Sequence, residues 1–153
     1  MSNSTTRMGW HFIRTSRRLS NGDGRAVRVG VKMKWEQLWP EDQVTICSRG
    51  MHASPTITDA FSYAGDMIAD GWLCRVRVHG TNYSNRSNPH QHSGQWGGAK
   101  FVGTHRTVLG MVKVSDLRFG NLLSLYNPDK HRTAILELMR KRNRKNGVKI
   151  DVE

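Results

Sequence analysis

The stretch GMHASPTITDAFSYAGD, residues 50–66, contains the histidine that is best placed to do chemistry. His52 lies two positions after Gly50 and after an apolar run, at the point where a strand is expected to end. A histidine in this position can act as a proton-transfer or binding group, or it can hydrogen-bond backbone groups and lock the turn. The stretch alone leaves both interpretations open.

A short helix is predicted directly after this turn. The hydroxyl of Ser54 can cap free backbone N–H groups, and Pro55 suits the first helical position. Apolar residues then recur at helical spacing at Ile57, Ala60, Phe61 and Ala64. Gly65 suits the end of the helix. We therefore expect two to three helical turns with one face packed inward.

The remaining histidines and the two cysteines do not predict a metal site. The histidines of the middle region are His79, His90, His92 and His105. Their spacing matches no common zinc site, and Cys47 and Cys74 do not form a Cys-x-x-Cys pair. The chain also has no glycine-rich phosphate loop, nucleophile elbow or HExxH motif. These patterns predict neither a metal nor a cofactor.

Positive charge is the strongest signal in the composition. The 153 residues include 24 Lys and Arg against 12 Asp and Glu, which gives a formal net charge of +12. This excess indicates a partner rich in phosphate or carboxylate, although a basic surface can also serve solubility alone. The residues predicted to contact nucleic acid are Arg17, Arg18, Arg25, Arg28, Arg140, Lys141, Arg142, Arg144 and Lys145.

The sequence predicts neither membrane insertion nor export. It has no run of about 18 apolar residues. Residues 1–8 lack the apolar segment of a signal peptide and are expected to form a flexible arm before a single domain, residues 9–153. Without an export signal, we expect the cysteines to stay reduced.

The first half of the chain predicts a hairpin and further strands. WHFIRTSRRL and RAVRVGVKMKW are expected to pair through the turn NGDGR, residues 21–25. In the second of these strands, Val27, Val29, Val31 and Met33 should face inward, and Arg28, Lys32 and Lys34 outward. QVTICS, residues 43–48, is also predicted to be a strand.

The segments that follow predict a central strand, a loop and one or two more strands. In WLCRVRVHG, apolar residues should face the core, and Arg75, Arg77 and His79 should face outward or lie at an edge. Residues 81–98 read as a long polar loop that is mobile until a partner binds. KFVGTHRTVLGMVKV predicts one or two strands, with a bulge at Gly103 or Gly110.

Helical periodicity dominates the last third. SDLRFGNLLSLY is expected to be helical, and a basic helix is predicted over about residues 128–146. Its inward face should carry Ala134, Ile135, Leu138 and Met139. The expected fold class is α+β: a twisted, mostly antiparallel sheet of five to seven strands, one short central helix and a helical C-terminal third.

The motifs WHFIR…LSNGDGRAVRVG…C.RGMHASPTITDAFSYA…LCRVRVHG…KFVGTHRTVL resemble an uncharacterised domain of phages and bacteria. The resemblance covers roughly residues 9–112. No activity is established for that family, so the resemblance implies a phage origin and a fold. This chain departs from it in a longer polar loop at residues 81–98, and in GGAK where relatives carry acidic residues.

A more distant resemblance is to ADP-ribosyltransferase-like folds, in which a His or Arg on the first strand and a polar residue before a helix flank nicotinamide. The positions that match are His11, Arg14, His52, Ser54 and Tyr63. The resemblance implies that they are catalytic and that NAD is the cofactor. No residue can be assigned as the catalytic glutamate that most members of that class use.

The expectation that follows is a small, basic, phage-type accessory protein. It would bind nucleic acid or a host nucleic-acid machine in the host cytoplasm, with Trp35, Trp39 and Trp96 available to stack on bases. Two alternatives stay open. One is an ADP-ribosyltransferase-like enzyme that acts on nucleic acid or a host protein, and the other is a protein–protein effector that inhibits a host enzyme.

Overall fold

Two long and largely buried strands lie at the centre of the protein. The computed structural model describes residues 6–17, 25–34, 51–64, 70–80, 83–84, 99–117 and 127–153. The strands are β1 Arg7–Ile13, β2 Lys32–Lys34, β3 Met51–Ala53, β4 Trp72–His79, β5 Tyr83–Ser84, β6 Phe101–Gly103 and β7 His105–Lys113. The helices are α1 Ile57–Phe61 and α2 Arg132–Lys145.

The strands of the described residues form two antiparallel sheets rather than one. A four-stranded sheet has the order β1-β4-β7-β2, and a three-stranded sheet has the order β3-β6-β5. With two helices, one of them near the C-terminus, this arrangement confirms the α+β class. No helix in these parts of the chain is long and apolar enough to cross a bilayer.

The four-stranded sheet is buried on both faces because β4 and β7 carry apolar residues on both sides. On one face, Leu73 and Leu109 belong to the core that also contains Ile135 and Met139 of α2. On the other face, Cys74 and Val76 share a core with residues of the small sheet. Two cores therefore flank one central sheet, one on each face.

A bulge in β7 fits α2 against the sheet. Arg75 pairs with Gly110 and Val76 with Val108, so Leu109 has no partner on β4. The buried side chain of Asn143 donates through Nδ2 to the Leu109 carbonyl at 2.8 Å. A Cβ on Gly110 would lie 2.9 Å from Cβ of Met139, so α2 packs directly on this strand. Gly110 was one of the two predicted bulge positions.

The predicted hairpin between the first two strands is wrong. β1 pairs with β4 over seven residues, and β2 pairs with β7 at the opposite edge of the sheet. Gly30 adopts a φ of +82° and interrupts the predicted alternation. As a result β2 is only three residues long. Val31, predicted to face inward, is 49% exposed.

The predicted outward position of Arg75 is also wrong, since this side chain is only 6% exposed. Burial of both faces of β4 encloses it. Its guanidinium lies 4.7 Å from the ring centroid of Trp10. Nε donates to the Val152 carbonyl at 3.1 Å and Nη1 to the Gly9 carbonyl at 3.3 Å. Arg75 is therefore a structural cation.

α1 begins later and is shorter than predicted. Ser54 is extended and forms a bridge with Trp10 through two backbone hydrogen bonds of 2.7 Å. The N-cap is Thr56, whose hydroxyl accepts from the Asp59 N–H at 3.1 Å. The four apolar positions predicted for the inward face, Ile57, Ala60, Phe61 and Ala64, are all buried.

The C-terminal helix lies within its predicted range. A 3-10 turn, Pro128–His131, leads into α2. Ala134 is exposed and Leu136 is buried, so the apolar face is rotated from the predicted one. At the other end of the chain, β1 begins at Arg7, inside the segment that was predicted to be an arm.

Several predictions lie outside the described residues. They concern the strand at residues 43–48, most of the loop at residues 81–98, the helix beyond Leu117, and the residues Arg18, Trp35, Trp39, Cys47, His90, His92 and Trp96.

Candidate functional site

Five cationic or titratable side chains lie on one face of the four-stranded sheet, near the β2 edge. We call this surface the basic face; it consists of Lys32, Lys34, Arg77, His79 and His105. His105 of β7 pairs with Lys34 of β2 on one side and with His79 of β4 on the other. Directly paired residues of an antiparallel sheet point to the same face, so these three side chains form a row.

A second row runs beside the first. Thr107 of β7 pairs with Lys32 on one side and Arg77 on the other. Lys32 and Lys34 are exposed, whereas Arg77 is half-buried. Nε of Arg77 is buried and has no hydrogen-bond partner among the described residues. The guanidinium of Arg77 on the basic face therefore has one N–H donor that makes no hydrogen bond to the described residues.

The two histidines of the basic face are held in their neutral form. Burial and then Lys32, Arg77 and His105 lower the pKa of His79. Burial, Lys32 and Lys34 lower the pKa of His105. No carboxylate of the described residues is among the groups that act on either ring. An arriving anion would therefore meet two histidines on which no carboxylate of the described residues acts.

Short side-chain contacts orient both rings. Nε2 of His79 lies 3.4 Å from Oγ1 of Thr107, and Nδ1 of His105 lies 2.8 Å from Oγ1 of Thr104. These contacts leave the other ring nitrogen of each histidine for a ligand.

The alternation of polar and apolar residues in KMK and CRVRVH predicted outward side chains for Lys32, Lys34, Arg77 and His79. It made no such prediction for His105, the fifth residue of the basic face. The convergence of these residues on one surface could not be predicted, because it depends on β2 pairing with β7.

The basic C-terminal run is largely paired within the protein. Arg140 contacts Glu137 at 3.7 Å and Glu153 at 3.6 Å. Arg144 also contacts Glu137, at 3.4 Å, and Arg142 contacts Asp116 at 3.6 Å. The remaining predicted residues of this run, Lys141 and Lys145, are exposed.

The predicted basic residues of the first third are dispersed. Arg28 is exposed. Arg25 donates through Nη2 to the Lys34 carbonyl, next to the basic face. Arg17 instead lies at the far end of β4, 5.1 Å from the ring centroid of Trp72. The structure thus separates residues that were predicted as one group.

Of the positions suggested by the transferase resemblance, the structure brings His11 and His52 together between the two sheets. Burial, then Arg106, His52 and Lys100, hold the pKa of His11 well below 6.5. Arg106 is 4% exposed and donates through Nη1 to the His52 carbonyl at 2.6 Å. Burial lowers the pKa of this guanidinium to about 10. No sequence motif singled out Arg106, because its burial follows from the packing of the two sheets.

The other suggested positions are not all part of this cluster. Arg14 is exposed beyond the end of β1. Ser54 is buried through its pairing with Trp10, and the ring of Tyr63 lies 4.4 Å from Nζ of Lys100. The glutamates of the described residues, Glu137 and Glu153, both pair with arginines of α2. The catalytic glutamate of the transferase resemblance is therefore not at this cluster within the described part of the chain.

Within the described ranges, no three His, Cys, Asp or Glu side chains lie close enough together to hold a metal ion. No protein-family model, curated protein or solved structure matches the chain. The resemblances drawn from the sequence therefore stay predictions, and function has to be argued from the surfaces described above.

Proposed function

We propose that this protein is a small accessory protein that binds nucleic acid through the basic face. The observation that supports the proposal is the uncompensated charge of this surface: no carboxylate of the described residues acts on its histidines. The net charge of +12 adds a long-range attraction for polyanions.

The shape of the basic face favours a repeating polyanion over a single small anion. Each row crosses three neighbouring strands, which places its outer side chains about 10 Å apart. Lysine ammonium groups at the β2 edge would contact phosphates, and the half-buried guanidinium of Arg77 would supply directed hydrogen bonds. Such contacts give affinity without base specificity.

The sequence resemblance to phage domains supports a role in a host cytoplasm. A host nucleic-acid machine is compatible with the same proposal, since the basic face would then contact the nucleic acid that the machine carries. The resemblance gives no reason to prefer DNA over RNA.

The experiment compares two pairs of lysine substitutions. K32Q/K34Q removes two charges from the basic face, and K141Q/K145Q removes two exposed charges from α2. We expect the first pair to reduce the slope of log affinity against log salt by about 1.4 to 1.8 for a short oligonucleotide. The second pair should change the slope much less, and circular dichroism should confirm that both variants fold.

An equal change of slope in both variants would show that binding follows net charge rather than the basic face. An unchanged slope in K32Q/K34Q would contradict the proposal.

A further inference from the structure

Three cations from three separate elements surround the ring of Trp72. The guanidinium of Arg17, after β1, lies 5.1 Å from the ring centroid. Nζ of Lys113, at the end of β7, lies 5.5 Å away, and the guanidinium of Arg142 of α2 lies 5.3 Å away. We call Arg17, Lys113 and Arg142 the Trp72 cluster.

Mutual repulsion opposes this arrangement. Because each cation lies within 5.5 Å of the same centroid, any two of them are at most about 11 Å apart, which is close to the Debye length in ordinary buffer. Among the described residues, the acid paired with the cluster is Asp116, 3.6 Å from Arg142. The cluster therefore keeps an excess of positive charge beside a nearly buried indole.

The backbone of Arg17 provides an independent observation. Its φ of 57° is in the left-handed region, and it is the only non-glycine residue of the described ranges with a positive φ. Its N–H donates to the Arg14 carbonyl at 2.9 Å, and its carbonyl accepts from the Val27 N–H at 2.7 Å. A strained residue that is held on both sides is typical of a functional position.

We propose that the Trp72 cluster binds a phosphate group. Two guanidinium forks can each bind phosphate oxygens through paired hydrogen bonds, and the ammonium group of Lys113 adds a point charge. The indole shields one side of each cation from water, which strengthens the contacts that the cation makes. The source of the phosphate is either a free phosphate or nucleotide, or the phosphodiester backbone of a nucleic acid.

This site is separate from the basic face. Trp72 and Cys74 point to one face of β4, whereas Arg77 and His79 point to the other. His79 lies seven positions after Trp72, which corresponds to about 23 Å along the strand. The proposal therefore does not depend on nucleic-acid binding by the basic face.

The test measures how phosphate changes thermal stability. Wild-type protein in sodium phosphate should melt at a higher temperature than in sodium chloride of the same ionic strength and pH. R17Q, K113Q and R142Q should each weaken the apparent phosphate affinity roughly tenfold. R144Q, from the same helix, is the control and should retain the wild-type response, since Arg144 pairs with Glu137 outside the cluster.

A second arm uses a short single-stranded oligonucleotide and distinguishes the two sources. Weaker oligonucleotide binding by the three cluster variants, with no effect of inorganic phosphate on the wild type, would identify a phosphodiester as the ligand. Phosphate stabilisation without any change in oligonucleotide binding would identify a free phosphate or nucleotide. If the cluster variants match R144Q in both arms, or only melt lower in chloride, the cluster is structural and the proposal is wrong.

Discussion

His11 lies among positive groups from three neighbouring elements. Arg106 of β7, His52 of β3 and Lys100 before β6 all act on its ring, and Cys74 of β4 lies opposite it in the sheet. Burial raises the pKa of the Cys74 thiol to about 12, so no thiolate compensates these charges near neutral pH. Burial first, and then these positive neighbours, lower the pKa of His11 and keep the ring neutral in the folded protein.

This neutrality predicts a loss of stability in acid. The folded pKa of His11 is below the unfolded value of about 6.5, so its contribution is complete above that value and is lost as the pH falls towards the folded pKa. We expect wild-type stability to fall below pH 6.5 more steeply than that of H11Q, by up to about 1.4 kcal/mol per pH unit. Urea unfolding between pH 7.5 and 5 measures it. Identical slopes for both proteins would refute this assignment.

At the scale of elements, α1 depends on a residue that is distant in sequence. Its five residues are too few for a stable isolated helix. The carboxylate of Asp129, in the 3-10 turn before α2, accepts from the Ile57 N–H at 2.8 Å and from the Thr58 N–H at 3.0 Å. This contact joins the central helix to the C-terminal third.

We expect D129A to lower the free energy of unfolding by about 1 to 3 kcal/mol, because it leaves two helical N–H groups without an acceptor. D129N keeps one oxygen acceptor and should cost less. D151A is the matched control, since the hydrogen bond that Asp151 accepts within the described part of the chain is a local one from the Glu153 N–H. Urea unfolding distinguishes them, and equal costs for D129A and D151A would contradict the role of Asp129.

Sequence reasoning succeeded for elements with strong local signals and failed for their partners. The alternation in WLCRVRVHG and the apolar spacing after Thr56 identify β4 and α1, because each pattern reports burial of one face. The NGDGR turn predicted the wrong partner for β1, because β1 pairs with β4, whose residues are 59 (Ile13 with Trp72) to 71 (Arg7 with Val78) positions away, and a local turn signal does not report such a distant partner. The role of Asp129 could likewise not be predicted, because the backbone N–H groups that donate to its carboxylate lie about 70 positions away in the sequence.

At the scale of the molecule, charge is distributed unevenly. Acids at the end of the chain and on α2 pair with the arginines of that helix. The outward positions of Lys32, Lys34 and Arg77 could be predicted from alternation, but the basic face required the sheet order. Within the described residues, two local groups stand out from the general basic character that composition predicted: the basic face at the β2 edge and the Trp72 cluster.

His79 and His105 of the basic face predict that the protein binds nucleic acid more tightly in mild acid. Their pKa values are lowered in the free protein, and nearby phosphates would raise them, so binding takes up protons and strengthens as the pH falls from 7.5 to 5.5. The double variant H79Q/H105Q should lose most of this dependence while its affinity at pH 7.5 changes little. Fluorescence anisotropy with a labelled oligonucleotide measures both. A pH-independent wild type would argue against contact with the basic face.

Asn143 interrupts the basic run RKRNRK with a residue that is anchored beneath the helix. Its amide satisfies the Leu109 carbonyl, which the bulge leaves without a ladder partner, and its own carbonyl accepts from the Val148 N–H at 2.8 Å. Unfolding this run into an extended peptide would therefore leave a buried polar group without a hydrogen-bond partner. Receptors that bind basic sequences as extended peptides are therefore poor partners for this run. A partner that recognises it has to bind one side of the intact helix.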